Sequence, residues 1–323
     1  MRKKIAIVTG EPNSINTEII GKTWKKLKIL EKKNLFLIGN FNLIKLQLKK
    51  NNIKIPVKEI NNISRINSSK FMYIYNIPIK AKNIDKINNN ENRKYILKSL
   101  TTAHYFAKKK IISSFVNCSI NKEKLFKSNS IGITEYLAKL NNIRDTEVMM
   151  IYNDKLSVVP ITTHIKIKDV SKKLSTKLII KKIKTINLFY KKNFKKKPII
   201  GLMGLNPHNF ENRSNSEEKK IIIPAVKILK KQKYRIIGPL SADTIFINRN
   251  KFNLDVIVGM YHDQVLTPFK TMYGFNAVNI TLGLSYLRVS PDHGTGEDIK
   301  NLNVANPESL IKCVRFLNKI NND

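Results

Sequence analysis

The stretch Ile5-Ala-Ile-Val-Thr-Gly-Glu-Pro-Asn-Ser begins with a short apolar run and ends in a polar turn. Its β-branched residues predict a buried strand over about residues 4–9, followed by a helix from about Asn16 to Lys32. A second apolar run, Leu35-Phe-Leu-Ile-Gly, predicts the next strand. Because this order favours a parallel sheet with right-handed crossovers, the predicted fold class is α/β.

The alternation of apolar runs and helical patterns continues to the C-terminus, with a turn predicted at Gly238-Pro-Leu. No low-complexity linker divides the chain, so we expect a two-lobed, interwoven α/β protein. The predicted helices cover about residues 92–109, 169–188, 223–231 and 305–320, and the later strands about 234–237, 254–259 and 276–282.

The composition allows a packed core, since 42% of the 323 residues are hydrophobic and 8% are aromatic. A formal charge of +37 would by itself suggest a nucleic-acid or membrane-binding protein. However, lysine is spread along the chain with isoleucine and asparagine, which is typical of drift towards A/T-rich codons. No nucleic-acid-binding motif is present. We therefore expect neither nucleic acid nor membrane as a partner, and keep a catalytically silent basic binding protein as the alternative.

Cys118 and Cys313 belong to no CxxC pair, which favours buried, reduced thiols. The apolar run after the basic N-terminus is too short for the core of a signal peptide. No apolar segment approaches the length of a membrane span. These features predict a soluble, cytoplasmic protein.

Three of the five histidines, His164, His208 and His262, follow apolar runs that predict strands. In an open α/β sheet, ligands bind at the carboxyl ends of the strands. Three imidazoles delivered to that edge are suited to one divalent metal ion with a position left for substrate. The alternative for each histidine is an ordinary hydrogen-bonded core residue.

Two aspartates lie near these histidines in sequence. Asp263 directly follows His262 and is placed to orient an imidazole or to meet substrate. Asp243 lies in the turn Gly238-Pro-Leu-Ser-Ala-Asp-Thr. Both could equally be ordinary turn residues.

Lys270, Asn279 and Arg288 are predicted at or near the ends of the last strands. Arginine is scarce in this chain, and its planar fork suits a phosphate group better than lysine does. Downstream, Asp292-His-Gly-Thr-Gly-Glu-Asp-Ile is a turn of small residues whose backbone amides can approach a polar ligand. The GxGxxG dinucleotide fingerprint is absent from the sequence.

Five phrases, in order along the chain, resemble the 4-hydroxythreonine-4-phosphate dehydrogenase family. They are Gly204-Leu-Asn-Pro-His, Gly238-Pro-Leu-Ser-Ala-Asp-Thr, Met260-Tyr-His-Asp-Gln, Val278-Asn-Ile-Thr-Leu-Gly-Leu and Asp292-His-Gly-Thr. The tail from His293, with Ala305-Asn-Pro, is also similar to the cofactor loop of isocitrate and isopropylmalate dehydrogenases. The resemblance covers effectively the whole chain.

This resemblance implies a two-lobed α/β/α sandwich of the isocitrate/isopropylmalate dehydrogenase-like type, with mixed, mostly parallel sheets. We expect residues 1–125 and 293–323 to form one lobe, and residues 126–292 to form a central lobe with the dimer interface. The family is a homodimer whose active site lies at the interface, with the third histidine supplied by the other subunit.

The implied activity is the NAD-dependent oxidation of a phosphorylated small molecule, 4-phosphooxy-L-threonine. The 3-oxo acid product decarboxylates to 3-amino-2-oxopropyl phosphate in pyridoxal phosphate biosynthesis. A divalent ion is implied as well, with zinc favoured and magnesium or cobalt as alternatives. Such an ion stabilises the developing alkoxide as hydride leaves for the nicotinamide.

Matching the family's motifs position by position assigns the functional residues. The implied metal ligands are His164, His208 and His262; substrate-binding residues Thr134, Lys270, Asn279 and Arg288; cofactor-binding residues His293, Gly294 and Thr295; and candidates for proton transfer Asp243, Asp263 and Lys122.

The chain departs from the family's pattern in four places. Ile133 replaces the histidine of Gly-His-Thr-Glu, which removes a substrate-contacting imidazole. Glycines are replaced in the first turn after Pro12, at Val265, and in Asn209-Phe-Glu-Asn. Since glycine permits backbone conformations with φ > 0, these losses predict an altered substrate preference, a slower enzyme or lost activity.

Overall fold

The computed structural model describes residues 4–80, 87–126, 132–274 and 276–322. The chain divides into two compact units. Unit 1 comprises Met1–Asn129 and Ser285–Asp323, and unit 2 comprises Ser130–Leu284. Residues 285–292, which we expected in the central lobe, thus belong to unit 1. We expected the first lobe to end at residue 125, and the residues that follow shortly after it, 127–131, are outside the described ranges.

The strands and α-helices have the following bounds. The strands are β1 Ile5–Val8, β2 Leu35–Gly39, β3 Val57–Ile60, β4 Met72–Asn76, β5 Ser114–Asn117, β6 Val148–Asn153, β7 Leu156–Pro160, β8 Ile200–Met203, β9 Ile236–Leu240, β10 Val256–Gly259, β11 Val278–Leu282 and β12 Leu287–Pro291. The helices are α1 Asn16–Lys26, α2 Ile29–Lys32, α3 Phe41–Lys50, α4 Asn89–Lys108, α5 Lys122–Phe126, α6 Ile133–Leu140, α7 Val170–Lys173, α8 Thr176–Asn193, α9 Ile223–Lys231, α10 His262–Tyr273 and α11 Glu308–Asn322.

In unit 1 the strand order is β3-β4-β2-β1-β5-β12, and the neighbouring strands pair in parallel. All four residues of β1 are buried, as expected for a strand covered on both faces. The first apolar run of the sequence is therefore a central strand of this sheet. Strand β12 pairs with β5, which explains why residues 285–292 belong to unit 1.

In unit 2 the strand order is β11-β6-β7-β10-β8-β9. Strand β6 is antiparallel to both β11 and β7, whereas β7, β10, β8 and β9 run parallel to one another. The prediction of mixed, mostly parallel strands is confirmed.

The predicted helix from Asn16 to Lys32 is wrong in one respect, because it is broken between α1 and α2. Leu27 and Lys28 are extended, and the Leu27 side chain is buried in the core. The Lys28 amide donates to Glu31 Oε2 at 2.6 Å, which begins a new helical turn.

The turn predicted at Gly238-Pro-Leu is also wrong, because these residues lie inside β9. Elsewhere the boundaries shift: the lysine-rich segment after residue 169 forms a short α7 and then the long α8. No helix in the described parts of the chain is both long and apolar enough to cross a lipid bilayer.

Candidate active site

The three histidines of interest follow three neighbouring parallel strands of unit 2. Strand β10 lies between β7 and β8, with Val258 beside Val159 on one side and Leu202 on the other. His164 follows β7, His208 follows β8, and His262 follows β10 as the first residue of α10. Because the carboxyl ends of adjacent parallel strands share one edge, the chain delivers the three imidazoles to one region of unit 2.

Hydrogen bonds link the three segments beyond the strands. Thr162 donates to the Met260 carbonyl from both its amide, at 3.1 Å, and its hydroxyl, at 2.7 Å. Gln264 Oε1 accepts the Met260 amide at 2.6 Å, while Gln264 Nε2 donates to the Gly204 carbonyl at 2.8 Å. Gln264, which we did not single out from the sequence, thereby ties the His262 segment to the His208 segment.

The rings of His164 and His262 lie close together, with centroids 5.9 Å apart. His262 Nδ1 is 2.8 Å from Asp263 Oδ1, and His164 Nδ1 is 3.7 Å from Glu135 Oε1. A carboxylate on Nδ1 directs Nε2 of the same ring towards a metal ion, as in many carboxylate–histidine–metal arrangements. The donor set of these two residues therefore fits a divalent ion.

His208 is exposed and does not complete this pair. Among the described residues, no group of three His, Cys, Asp or Glu side chains of one chain is arranged to hold a metal ion. The structure thus brings two of the three predicted ligands together. Completion of the site by a partner subunit's histidine stays a prediction.

The His208 segment has an unusual backbone. His208, Asn209 and Phe210 have φ values of 50°, 57° and 47° within the short 3-10 segment Pro207–Asn212. Left-handed geometry costs a non-glycine residue about 1–2 kcal/mol. Glycine loss in this loop therefore leaves strain in the backbone.

The first turn, unlike the His208 loop, is not strained by the loss of its glycines. Gly10, with φ of 73°, is retained, and a Cβ atom there would lie 2.5 Å from the Ser119 carbonyl oxygen. Ser14 and Asn16, which replace the family's glycines, do not have positive φ. The expected restriction of this turn is therefore absent. At Val265 the replacement is also accommodated, because its side chain is buried in the unit 2 core with Met203.

Replacing Phe210 tests the strain in the His208 loop. We expect Phe210→Gly to be more stable than Phe210→Ala by about 1 kcal/mol, since only glycine relieves the left-handed conformation. The comparison is matched, because both variants lose the contact of Arg213 with the Phe210 ring. Chemical denaturation measures the difference, and equal stabilities would contradict a strained loop.

Glu218 supports the same loop and was not identified from the sequence. It is fully buried at the start of the π-helix Glu218–Ile222. Its Oε1 accepts the backbone amides of Leu205 and Asn206, each at 2.8 Å. Burial opposes its ionisation, but these amides and the Asn206 side chain outweigh that cost and lower the pKa of Glu218.

Glu218→Gln is expected to lower the free energy of unfolding at neutral pH by about 1–3 kcal/mol, because charged hydrogen bonds are lost. A carboxyl whose folded pKa is lowered stabilises the protein above its unfolded pKa and loses that contribution as the pH falls through the folded value. The difference between wild type and variant should therefore begin to shrink as the pH falls below about 4. Denaturation at several pH values measures this, and a constant difference would argue against the carboxylate's role.

Two predicted substrate residues lie near each other on β11 and α6. Thr134 Oγ1 is 3.1 Å from Thr281 Oγ1, and Asn279 is two residues before Thr281 on the same face of the strand. Asn279 Oδ1 is buried without a hydrogen-bond partner, which suits a donor group on a ligand. Ile133, the position of the lost histidine, is buried.

The other substrate residues differ from expectation in their placement. Lys270 lies on α10, not at a strand end, and is half-buried. Arg288 is the second residue of β12 in unit 1; it is 3% exposed, and its Nε donates to Asn117 Oδ1. Burial and the bond to Asn117 therefore fix the orientation of the Arg288 guanidinium.

The candidates for proton transfer are exposed. Asp243 follows β9, and the Ser241 hydroxyl, with His208 acting in the same direction, lowers the pKa of its carboxyl. Asp263 lies in the first turn of α10 beside His262. Lys122 begins α5 in unit 1.

Glu135, on α6, is the acidic residue nearest to His164. Its Oε1 accepts a hydrogen bond from Thr163 Oγ1 at 3.0 Å. Burial opposes ionisation, but the neighbouring His164 and Thr163 outweigh it and lower the pKa of Glu135 to about 2. The Glu135 carboxylate is therefore negatively charged at neutral pH and lies near His164 Nδ1.

The predicted cofactor loop is tied to the first turn of unit 1 and to the segment after β5. The Ile15 amide donates to the Thr295 carbonyl at 3.0 Å, and the Ser119 hydroxyl donates to the His293 carbonyl at 2.8 Å. Burial lowers the pKa of His293, so its ring is held neutral. Its buried Nε2 lacks a partner, which fits a hydroxyl or amino donor such as a nicotinamide dinucleotide carries.

A cavity of about 300 Å³ lies in unit 1. The first turn lines it with Glu11 and Asn13, α4 with Asn92, and the segment after the cofactor loop with Lys300. Burial raises the pKa of the Glu11 carboxyl, against the opposing Asn92 contact. The cavity is polar and is large enough for part of a cofactor, but not for a whole dinucleotide.

Comparison with known proteins gives a consistent result. The family profile described as Pyridoxal phosphate biosynthetic protein PdxA matches residues 31–317. The 4-hydroxythreonine-4-phosphate dehydrogenase of Sulfurihydrogenibium sp. is 37% identical over 321 residues, covering 97% of this chain and 97% of that protein. A crystal structure of 4-hydroxythreonine-4-phosphate dehydrogenase from Klebsiella pneumoniae is similar with a TM-score of 0.87 and 27% identity, covering 100% and 99% of the two chains.

A more distant similarity concerns the fold alone. The β-decarboxylating dehydrogenase of Thermococcus kodakarensis matches with a TM-score of 0.53 and 10% identity, covering 98% of this chain and 82% of that one. Together with the strand order of each unit, these likenesses confirm the predicted α/β fold class.

Proposed function

Because the chain belongs to the PdxA family of pyridoxal phosphate biosynthetic proteins, we propose that it is a 4-hydroxythreonine-4-phosphate dehydrogenase. It oxidises 4-phosphooxy-L-threonine with NAD to the 3-oxo acid, which decarboxylates to 3-amino-2-oxopropyl phosphate. The main support for the proposal is that His164, His208 and His262 each follow one of three adjacent parallel strands.

His164, His208 and His262 would hold a divalent ion, with the third of these imidazoles supplied across a homodimer interface by the partner subunit. When bound, such an ion would lower the pKa of the substrate hydroxyl, and NAD would accept the hydride. Zinc suits imidazole ligands best, with magnesium or cobalt as alternatives. The short contact between His262 Nδ1 and Asp263 Oδ1 supports His262 as a metal ligand.

The chain's own residues bind and orient the substrate. From the family's motifs we infer that Lys270 and Arg288 are phosphate-binding residues. Within unit 2, the unpaired Asn279 Oδ1 is suited to accept a hydrogen bond from the substrate beside Thr134. Asp243, whose carboxyl pKa is lowered by the Ser241 hydroxyl, is one candidate for proton transfer. Asp263 and Lys122 are the further candidates for proton transfer.

His293, Gly294 and Thr295 form part of the NAD site. The support is the unpaired His293 Nε2, together with the bonds that fix the loop against the first turn. We place the enzyme in the cytoplasm, with neither nucleic acid nor membrane as a partner. The two cysteines, buried and not disulfide-bonded, support a reducing compartment.

The test is direct. Purified protein with Zn²⁺, Mg²⁺ or Co²⁺ and NAD should form NADH from 4-phosphooxy-L-threonine, followed by release of carbon dioxide. Protein that binds metal but forms no NADH would contradict the proposed activity. Salt-sensitive binding to polyanions without metal binding would instead favour the basic binding protein.

A second candidate keeps the chemistry and changes the substrate. Ile133 is buried where the family has a substrate-contacting histidine, so one polar contact is lost. Comparing kcat/KM for several phosphorylated and unphosphorylated hydroxy acids would distinguish the two candidates. A higher value for another phosphorylated hydroxy acid would favour the second one.

A further inference from the structure

Glu135 and His164 each have an unpaired polar atom beside Gly132. Glu135 Oε2 and His164 Nδ1 are both buried and make no hydrogen bond, while Glu135 Oε1 lies 3.7 Å from that Nδ1. A buried donor or acceptor without a partner is costly. A shift of the His164 ring by about 1 Å would bring the carboxylate and Nδ1 to hydrogen-bond distance.

We propose that Glu135 is a positioning residue, whose carboxylate accepts the Nδ1 hydrogen of His164 and so directs Nε2 towards a divalent ion. The inference rests on the proposed function, since it requires His164 to bind metal. Thr163 holds the carboxylate in place, because its hydroxyl donates to Glu135 Oε1 at 3.0 Å.

Gly132 makes room for this arrangement. A Cβ atom there would lie 2.5 Å from Glu135 Oε2 and 3.0 Å from His164 Cε1. Any side chain at residue 132 would therefore push the carboxylate or the ring away. The glycine is needed for this close approach and not for its backbone angles, since its φ is −82°.

A buried lysine lies in the electrostatic field of Glu135. Lys182, on α8, is 8% exposed, and burial lowers the pKa of its ammonium group, while Glu147 and then Glu135 act in the opposite direction. The Glu135 carboxylate is also better enclosed than Asp263, whose side chain is 73% exposed beside His262. A hydrogen bond between His164 and Glu135 would lie in a less polar environment than the one between His262 and Asp263. It would therefore orient the His164 ring more strongly.

Titration of the full-length protein with Co²⁺ tests the inference, with calorimetry and the visible spectrum of bound cobalt as readouts. Glu135→Gln is expected to weaken Co²⁺ binding by about 10–100-fold, the usual effect of losing such a partner. Glu135→Asp should restore part of the affinity. Glu59→Gln, at an exposed residue of β3 in unit 1, is the matched control and should bind like wild type.

Two further variants keep the test decisive if Glu135→Gln does not fold. Thr163→Val removes the hydroxyl that holds the carboxylate, and Gly132→Ala displaces the carboxylate without removing its charge. Both should weaken Co²⁺ binding and alter the cobalt spectrum. Wild-type affinity in Glu135→Gln, or in both of these variants, would overturn the inference. Failure of the wild-type protein to bind Co²⁺ would contradict the proposed metal site itself.

Discussion

His208→Ala is expected to lower kcat/KM by about 10²–10⁴-fold, because a metal ion supplies several kcal/mol of transition-state stabilisation. The same change should alter the free energy of unfolding by less than about 1 kcal/mol, since His208 is exposed. Steady-state kinetics and chemical denaturation measure the two effects. Together they separate a functional histidine from a structural one.

The control is His104→Ala. His104 lies on α4 in unit 1, and its ring is bonded to the Tyr286 hydroxyl at 2.9 Å. This variant should keep its activity. His208→Asn is a useful second variant, because asparagine tolerates positive φ well and also removes the imidazole. Near-normal activity in both His208 variants would refute the role of His208 as a ligand.

Gln264→Leu is expected to reduce both stability and metal affinity. The change leaves the Met260 amide and the Gly204 carbonyl without their partner, which costs about 2–4 kcal/mol for the pair. Because it frees the His208 segment from the His262 segment, Co²⁺ binding should weaken by about 10–100-fold.

The control for this variant is Gln232→Leu, at an exposed residue after α9. It should leave both quantities unchanged. Differential scanning fluorimetry with and without Co²⁺ would separate the two effects. If Gln264→Leu lowers stability but leaves Co²⁺ affinity intact, the link between the loops does not help to assemble the site.

The sequence predicted the strand-end positions of the histidines well, since short apolar runs followed by polar residues are a local pattern. The proximity of His164 and His262 followed from the general rule for parallel strands. The residues that hold them were not predictable in this way. Gln264, Glu218 and Glu135 act through contacts with residues distant in sequence or in another element, and one chain without its folded structure gives no sign of such contacts.

The errors in the fold prediction have a similar cause. The break between α1 and α2 depends on burial of Leu27, which outweighs the helical pattern around it. Gly238-Pro-Leu has the composition of a turn, yet pairing with β8 keeps it in a strand. Likewise, glycine loss had opposite outcomes: Ser14 and Asn16 do not have positive φ, whereas Asn209 and Phe210 do.

The left-handed turn at residues 208–210 has a consequence for how such a chain can change over generations. Asparagine and phenylalanine replace glycine there, while Glu218 and Gln264 hold the preceding residues in place. Substitutions in the turn and at these two supports are therefore expected not to be independent. Loss of a support should be tolerated better in a chain that has regained glycine in the turn than in this one.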